Sequence, residues 1–224
     1  GGSLGFNTKV IIETGEERGS VGLSRFLDRH RDLLAADVFI GVDGPRQCLS
    51  QPEIRLGNRG VIVFDLAADL RQGSHHSGHW SGVLADPGIL LAHALATIVS
   101  KDGRIQVPGW VPRAIPPAVR DACDRMAIDP VPGMPEGDAG WGEPGMSRAE
   151  RILLWSGVTV QTMLCGNPAR PVNAVPPSAR ARVEIRHTVD TDPDEFLPAL
   201  RRHLDDHGLT RIDILPVADE VPFP

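Results

Sequence analysis

The chain has 224 residues, of which 41% are hydrophobic and 23% are charged, and its formal net charge is −6 at pH 7. This length and composition predict one large or two small domains with apolar cores. The dispersed arginines argue against the clustered basic face of a nucleic-acid-binding protein, and no apolar run reaches the roughly 20 residues of a membrane span. The N-terminal residues lack the pattern of a signal peptide, and the odd number of cysteines, at wide spacing, indicates reduced thiols. We therefore expect a cytoplasmic protein with no nucleic-acid or membrane partner.

The first part of the chain shows a strand–helix–strand pattern. Residues 8–13 (TKVIIE) and 37–43 (DVFIGVD) predict two buried strands, and Ser20 is expected to cap a helix over residues 21–36. A βαβ unit of this length is right-handed, so the two strands should be parallel and covered on both faces.

Three carboxylates follow these two strands. Glu16 and Glu17 come directly after the first strand, and Asp43 ends the second. Because the carboxyl ends of parallel strands meet at one edge of a sheet, the three side chains are expected to converge there. Like charges at such distances require a cation, and a metal ion is the obvious candidate. The alternative is an ordinary solvated loop.

The rest of the chain predicts an antiparallel α+β domain. Asp86 and Pro87 form an N-cap and first-turn pair, and Ser147 and Glu150 form a capping box. Residues 104–146 are rich in proline and glycine and are expected to be an insertion with little regular structure beyond one short helix. The predicted strands are residues 59–70, 158–164, 179–189 and 211–217, and a last helix is opened by Asp192. These parts favour a four-stranded antiparallel sheet with two helices on one face.

Several motifs occur in a characteristic order: ETGEERGS, VDGP, RLGNRG, HHSGHWSG, NAVP and EIR. In this order they resemble the zinc-dependent metallopeptidase family of carnosinases, aminoacylases and glutamate carboxypeptidases. The stretch DGRIQVPGWVPRAIPP looks most like the dipeptidase and carnosinase branch. The resemblance implies a metal-dependent hydrolase of peptide or N-acyl amino-acid amide bonds, with a water activated by two Zn²⁺ ions, or by Mn²⁺ or Co²⁺.

The resemblance also implies a domain plan. Residues 1–57 would belong to a parallel-sheet α/β catalytic domain, residues 58–217 to a lid and dimerisation domain, and residues 218–224 to the return into the catalytic domain. In such enzymes Glu16 would be the general base, and Glu17 and Asp43 would be metal ligands. The family's upstream His-x-Asp, its bridging Asp and its final His ligand do not occur in this chain, so we expect an internal fragment that is inactive alone.

His76 matches the lid histidine that, in this family, enters the partner subunit's active site and polarises the scissile carbonyl. A zinc motif in HHSGH is the competing interpretation. The family's Gly-Gly after this motif is Ser81-Gly82 here, which leaves the turn geometry open. A homodimer through the lid is therefore expected. The helix over residues 88–99, apolar nearly all round, would form part of its interface or else pack only on its own sheet.

Asn173 and Arg186 match residues that bind the substrate carboxylate. Together they would form a clamp, because the guanidinium fork suits a carboxylate. Asn173 could instead be a turn residue before Pro176, and Arg186 an exposed arginine on a sheet face. A functional alternative for the whole chain is a non-catalytic dimerisation or binding module that retains the lid.

Overall fold

A computed structural model describes residues 4–42, 58–126 and 135–217. The chain divides into two compact units, one containing residues 4–42 and the other residues 58–126 and 135–217. The predicted domain boundary between residues 57 and 58 and the predicted return segment at 218–224 both depend on residues outside the described ranges, so they stay predictions.

The first unit contains two short helices, α1 (Leu23–Arg29) and α2 (Arg31–Leu34), where one long helix was expected. His30 separates them, with φ −115° and ψ 24°. The expected N-cap was wrong: Gly22 holds that position, whereas Ser20 has φ 48° and directs its hydroxyl to Glu13 Oε2 at 3.3 Å.

The predicted parallel strands are not formed. Within the described part of this unit, residues 8–13 and 37–42 belong to no strand. The apolar side chains meant to be buried face solvent, with Phe39 89% and Val42 95% exposed. A parallel strand needs ladder partners and apolar cover on both faces, and α1 and α2 contribute no buried residue.

The second unit contains a four-stranded sheet in the order β3-β5-β1-β6, in which every neighbouring pair is antiparallel, as predicted. Strands β2 and β4 form a separate two-stranded sheet. The strands and helices are β1 (Gly60–Asp69), β2 (His75–His76), α3 (Ser77–Trp80), α4 (Pro87–Ile98), α5 (Pro117–Asp124), α6 (Arg148–Leu153), β3 (Gly157–Cys165), β4 (Ala174–Val175), β5 (Ser178–His187), α7 (Phe196–Asp206) and β6 (Asp213–Pro216).

The core lies between one face of the sheet and helices α4 and α7. Alternate residues of β1 and β5 point into it, among them Phe64 and Val183, which are paired across the two strands. Leu91 of α4 and Leu200 of α7 cover them and are fully buried. The predicted arrangement of two helices on one face of the sheet is therefore confirmed.

The predicted insertion contributes to this core, which was not expected. Val107 and Trp110 are 2% and 0% exposed, and the Trp110 indole Nε1–H donates to the carbonyl oxygen of Phe196 at 2.9 Å. Helix α5 follows the two prolines as predicted. The backbone of this stretch is thus irregular, yet its side chains are part of the core. An indole can fill the gap between sheet and helix without regular structure around it.

The opposite face of the sheet, which we call the open face, carries charged pairs. Arg182 and Asp65, on adjacent strands, form a two-pronged ion pair with N–O distances of 2.8 and 3.0 Å. Their side chains are only 11% and 8% exposed, and the hydrogen bond to Asp65 raises the pKa of Arg182. This pair lies at the centre of the face and leaves the strand ends for other side chains.

No helix in the described residues is long and apolar enough to cross a membrane. Cys123 and Cys165 are free thiols, as the cysteine count predicts, and Cys48 lies outside the described ranges.

Candidate functional site

The two glutamates lie in a 3₁₀ turn, Glu16–Arg18, in the first unit. Gly19 closes the turn in the left-handed conformation, with φ 82°, and its amide donates to the carbonyl oxygen of Glu16 at 2.8 Å. Only glycine adopts this conformation without strain, which explains the Gly at the end of the motif. The Glu16 side chain is exposed.

The described residues do not assemble a metal site by themselves. Across residues 4–42, 58–126 and 135–217, no three His, Cys, Asp or Glu side chains group closely enough to hold an ion. Asp43 lies outside these ranges. The roles of Glu17 and Asp43 as ligands stay predictions, and the described donors alone do not fit a bound metal.

His76 stands at the end of β2 and serves as the N-cap of α3. Its Nδ1 accepts a hydrogen bond from the Gly78 amide at 3.0 Å. A neutral imidazole that accepts at Nδ1 carries its proton on Nε2, so the ring keeps a donor on its outer side. The side chain is exposed. This geometry suits a histidine that donates to a ligand.

The small β2-β4 sheet brings Asn173 next to His76. His76 is paired with Ala174, and the Ser77 amide donates to the Asn173 carbonyl oxygen at 2.9 Å. Asn173 itself is exposed. Residues from two distant parts of the sequence therefore meet on one surface, which was not predicted.

Arg186 lies on the open face and is the second-last residue of β5. Its Nε donates to Glu184 Oε1 at 2.7 Å and its Nη2 to Glu184 Oε2 at 3.5 Å. The side chain is 48% exposed. Glu184 was not singled out from the sequence, although the i, i+2 spacing in EIR already places both side chains on one face of a strand.

The structure does not bring the backbones of Asn173 and Arg186 close together, and a clamp that uses both side chains stays a prediction. The β1–β5 ladder extends through the Leu70 amide, which donates to the Pro177 carbonyl, so the strand is extended from Pro177 to Arg186. Nine steps at about 3.3 Å cover about 30 Å, and the few residues between Asn173 and Pro177 can recover only about 10 to 13 Å. At least roughly 17 Å separates the two backbones, a distance that an arginine, a carboxylate and an asparagine span together only when both side chains are extended. The same separation applies to His76, which lies beside Asn173.

No family model matches the chain. In sequence it is 34% identical to the human Beta-Ala-His dipeptidase over 115 residues, which are 50% of this chain and 23% of the human protein. It is 28% identical to the Cysteinylglycine-S-conjugate dipeptidase of Corynebacterium striatum over 109 residues, 48% of this chain and 24% of that protein.

Solved structures share the fold. An M20 family metallo-carboxypeptidase from Sulfolobus solfataricus matches with a TM-score of 0.68 at 23% identity, over 90% of this chain and 47% of that structure. Human carnosine dipeptidase 1 matches with a TM-score of 0.63 at 21% identity, over 91% of this chain and 45% of that structure. The chain thus spans about half the length of these structures and about a quarter of the curated relatives. It resembles dipeptidases in sequence over about half of its length, and it shares the fold of an M20 metallo-carboxypeptidase and a carnosine dipeptidase over nine-tenths.

Proposed function

We propose that the chain is part of a metal-dependent hydrolase that cleaves dipeptides or N-acyl amino acids. The sequence similarity to two dipeptidases with different named substrates supports this proposal most directly. The proposed cofactor is a divalent metal ion, Zn²⁺ first and Mn²⁺ or Co²⁺ as alternatives, because carboxylate-rich sites accept several such ions. Glu17 and Asp43 are the proposed ligands from this chain.

Glu16 is the proposed general base. Its exposed side chain, held at the start of a tight turn, can reach a water molecule without first breaking an internal contact. A carboxylate in this position would take the proton of the attacking water and later return it to the leaving amine.

His76 is the proposed electrophilic residue. Its Nε2–H would donate to the scissile carbonyl oxygen as negative charge develops there, and the Gly78 amide keeps the ring in the required tautomer. Arg186 would bind the free carboxylate of the substrate, with Asn173 as the second substrate-binding residue.

The proposed assembly is a homodimer through the lid. A dipeptide spans only about 5 Å between its scissile carbonyl and its carboxylate, so His76 and Arg186 of one subunit would both have to extend towards it to share one substrate. An arrangement in which His76 of one subunit serves the site that contains Arg186 of the other avoids this requirement, and it is the proposed one. Ile89 of α4, which is 60% exposed, offers apolar surface for such an interface.

The experiment is a hydrolysis assay with β-Ala-His, Cys-Gly and an N-acetyl amino acid, after chelation and after addition of Zn²⁺, Mn²⁺ or Co²⁺. The proposal expects at least one substrate to be cleaved only with metal by the protein that contains this chain. Absence of cleavage in every combination would contradict it.

The alternative is a non-catalytic dimerisation or binding module. The four-stranded sheet with its helices forms a compact unit of its own, which would suffice for this alternative. The same assay separates the two, because a module of this kind would dimerise yet show no metal-dependent hydrolysis.

A further inference from the structure

We infer that Arg59 and Glu184 are positioning residues for Arg186: Glu184 sets the direction of the Arg186 guanidinium, and Arg59 restores the positive charge that Glu184 cancels. The inference rests on the proposed role of Arg186 as the carboxylate-binding residue.

Glu184 fixes one edge of the guanidinium. Its carboxylate engages Nε at 2.7 Å and Nη2 at 3.5 Å, so the Nε edge of Arg186 faces the protein. The Nη1 side of the fork is then turned away from Glu184. Glu184 is itself well covered, with a side chain only 16% exposed, whereas the Arg186 side chain is 48% exposed. An arginine held on one edge presents its other donors to a ligand in a fixed direction.

A β-bulge helps to hold Glu184 in place. The register of β3 against β5 shifts between Val160 and Thr162, which leaves Gln161 as the extra residue. Gln161 Nε2 donates to Glu184 Oε2 at 3.0 Å. Bulges commonly redirect a side chain in this way, and this bulge gives the carboxylate a second fixed partner.

Arg59 reaches the same region from the neighbouring strand. Its Nη1 donates to the Trp155 carbonyl oxygen at 3.3 Å and lies 3.7 Å from the position that a Cβ on Gly157 would take. Gly157 is the cross-strand partner of Arg186. The Arg59 side chain therefore crosses the end of β5 at the level of Arg186. It lies against Gly157, which has no side chain to block it.

The electrostatics agree with this placement. Burial first, and then the charge of Arg186, lower the pKa of Arg59, while the charge of Glu184 opposes the shift. Arg59, Arg186 and Glu184 together carry a net charge of +1. Arg186 and Glu184 alone would be neutral and would hold a carboxylate weakly. With Arg59 the group matches one carboxylate charge.

The test is binding of N-acetylglycine and of N-acetylglycinamide to the isotope-labelled chain, followed by the NMR signals of the arginine Nε–H groups. We expect the carboxylate to shift the Arg186 signal in a saturable manner and the amide to leave it in place. Arg59→Gln should weaken carboxylate binding by about fivefold, as expected for a partly exposed charge pair. Glu184→Gln removes one of the two oxygens that hold the guanidinium, so the Arg186 Nε–H signal should shift even without ligand; an unshifted signal would mean that Glu184 does not orient Arg186.

Arg211→Gln, at an exposed arginine before β6, is the matched control and should leave both affinities unchanged. Thermal unfolding of each variant checks that the fold is intact. The inference is overturned if the unmodified chain shows no carboxylate-dependent shift, or if Arg59→Gln binds the carboxylate as tightly as the unmodified chain.

Binding and turnover separate this inference from the proposed function. Carboxylate-selective binding without hydrolysis under any metal would leave the inference standing and contradict the hydrolase. Hydrolysis whose KM is unaffected by Arg59→Gln would retain the hydrolase and overturn the inference.

Discussion

The Ser77 amide donates to the Asn173 carbonyl oxygen at 2.9 Å, and this bond joins the segment that carries His76 to the turn that precedes β4. Two candidate residues are thereby fixed on one surface by backbone contacts. Their side chains remain exposed. Such a surface is rigid in its backbone and accessible in its side chains, which is what a ligand-contacting pair requires.

Gly78→Ala should impair His76 without unfolding the protein. A Cβ at Gly78 would lie 3.0 Å from His76 Cε1 and 3.1 Å from Nδ1, which is closer than side chains normally approach. The ring would have to turn away and lose its fixed direction. We expect the kcat of the active enzyme to fall by about tenfold or more, because small misplacements of catalytic groups are costly.

The control for this change is Gly137→Ala. Gly137 is surrounded by open space and does not have a positive φ. Its substitution should leave kcat unchanged. If Gly78→Ala and Gly137→Ala have equal activity, the position of the His76 ring does not matter for turnover.

Trp110→Ala should destabilise the second unit by about 3–5 kcal/mol, the usual range for emptying a large aromatic site in a core. The indole is fully buried and contacts the ring of Phe196, with centroids 5.8 Å apart. Trp110→Phe keeps most of the volume but removes the donor to the Phe196 carbonyl, so it should cost less. Urea unfolding measures both values.

Trp141, which is 53% exposed, is the control for Trp110. Trp141→Phe should change the free energy of unfolding by less than about 1 kcal/mol. A comparable loss at both positions would mean that the stretch around Trp110 is not part of the core.

Glu150 should make the stability of the second unit depend on acid pH. The Ser147 backbone amide, which donates to Glu150 Oε2 at 2.7 Å, is the main cause that lowers the pKa of Glu150; the Ser147 hydroxyl and then Arg120 add to it, while burial opposes it. Because the folded pKa lies below the unfolded one, the stabilisation is complete above the ordinary carboxyl range. It is lost as the pH falls through the folded pKa.

Glu150→Gln should therefore flatten the acid side of the stability profile, measured by urea unfolding between about pH 3 and pH 7. The neighbouring change Ser147→Ala should instead lower stability by about 1 kcal/mol, because it removes the cap of α6. An acid profile unchanged in Glu150→Gln would show that this carboxylate is not linked to folding.

Local signals in the sequence predicted the second unit well. The Asp86 and Ser147 caps appear at the expected residues, since capping depends on atoms within three positions. The four strands and their antiparallel order follow from alternating apolar residues. Trp110 was missed because its partners, on α7 and on the sheet, are far away in sequence.

Non-local packing explains the other differences. Residues 37–42 have the apolar character of a buried strand, but strand formation needs partners that composition cannot guarantee, and Phe39 remains exposed. The proximity of His76 and Asn173 was not predicted, because it depends on the pairing of β2 with β4, which are far apart in sequence. The separation of Arg186 follows from the length and direction of β5, which a motif does not encode.

This separation gives the strongest prediction about assembly. Because the backbones of His76 and Arg186 lie far apart within one subunit, we expect the active enzyme to combine the two residues across a two-fold interface. His76→Ala and Glu16→Gln would each inactivate their own homodimer. A mixed dimer, however, contains one site with Glu16 from the first subunit and His76 from the second.

Random exchange of equal amounts of the two variants gives about half mixed dimers, each with one intact site of two, so about a quarter of the unmodified activity should return. Exchange is verified first by mass spectrometry of differently tagged subunits. As a control, His76→Ala mixed with a second His76→Ala preparation should recover nothing. Verified exchange without any recovery would mean that His76 acts within its own subunit or takes no part in catalysis, and the cross-subunit arrangement would then be abandoned.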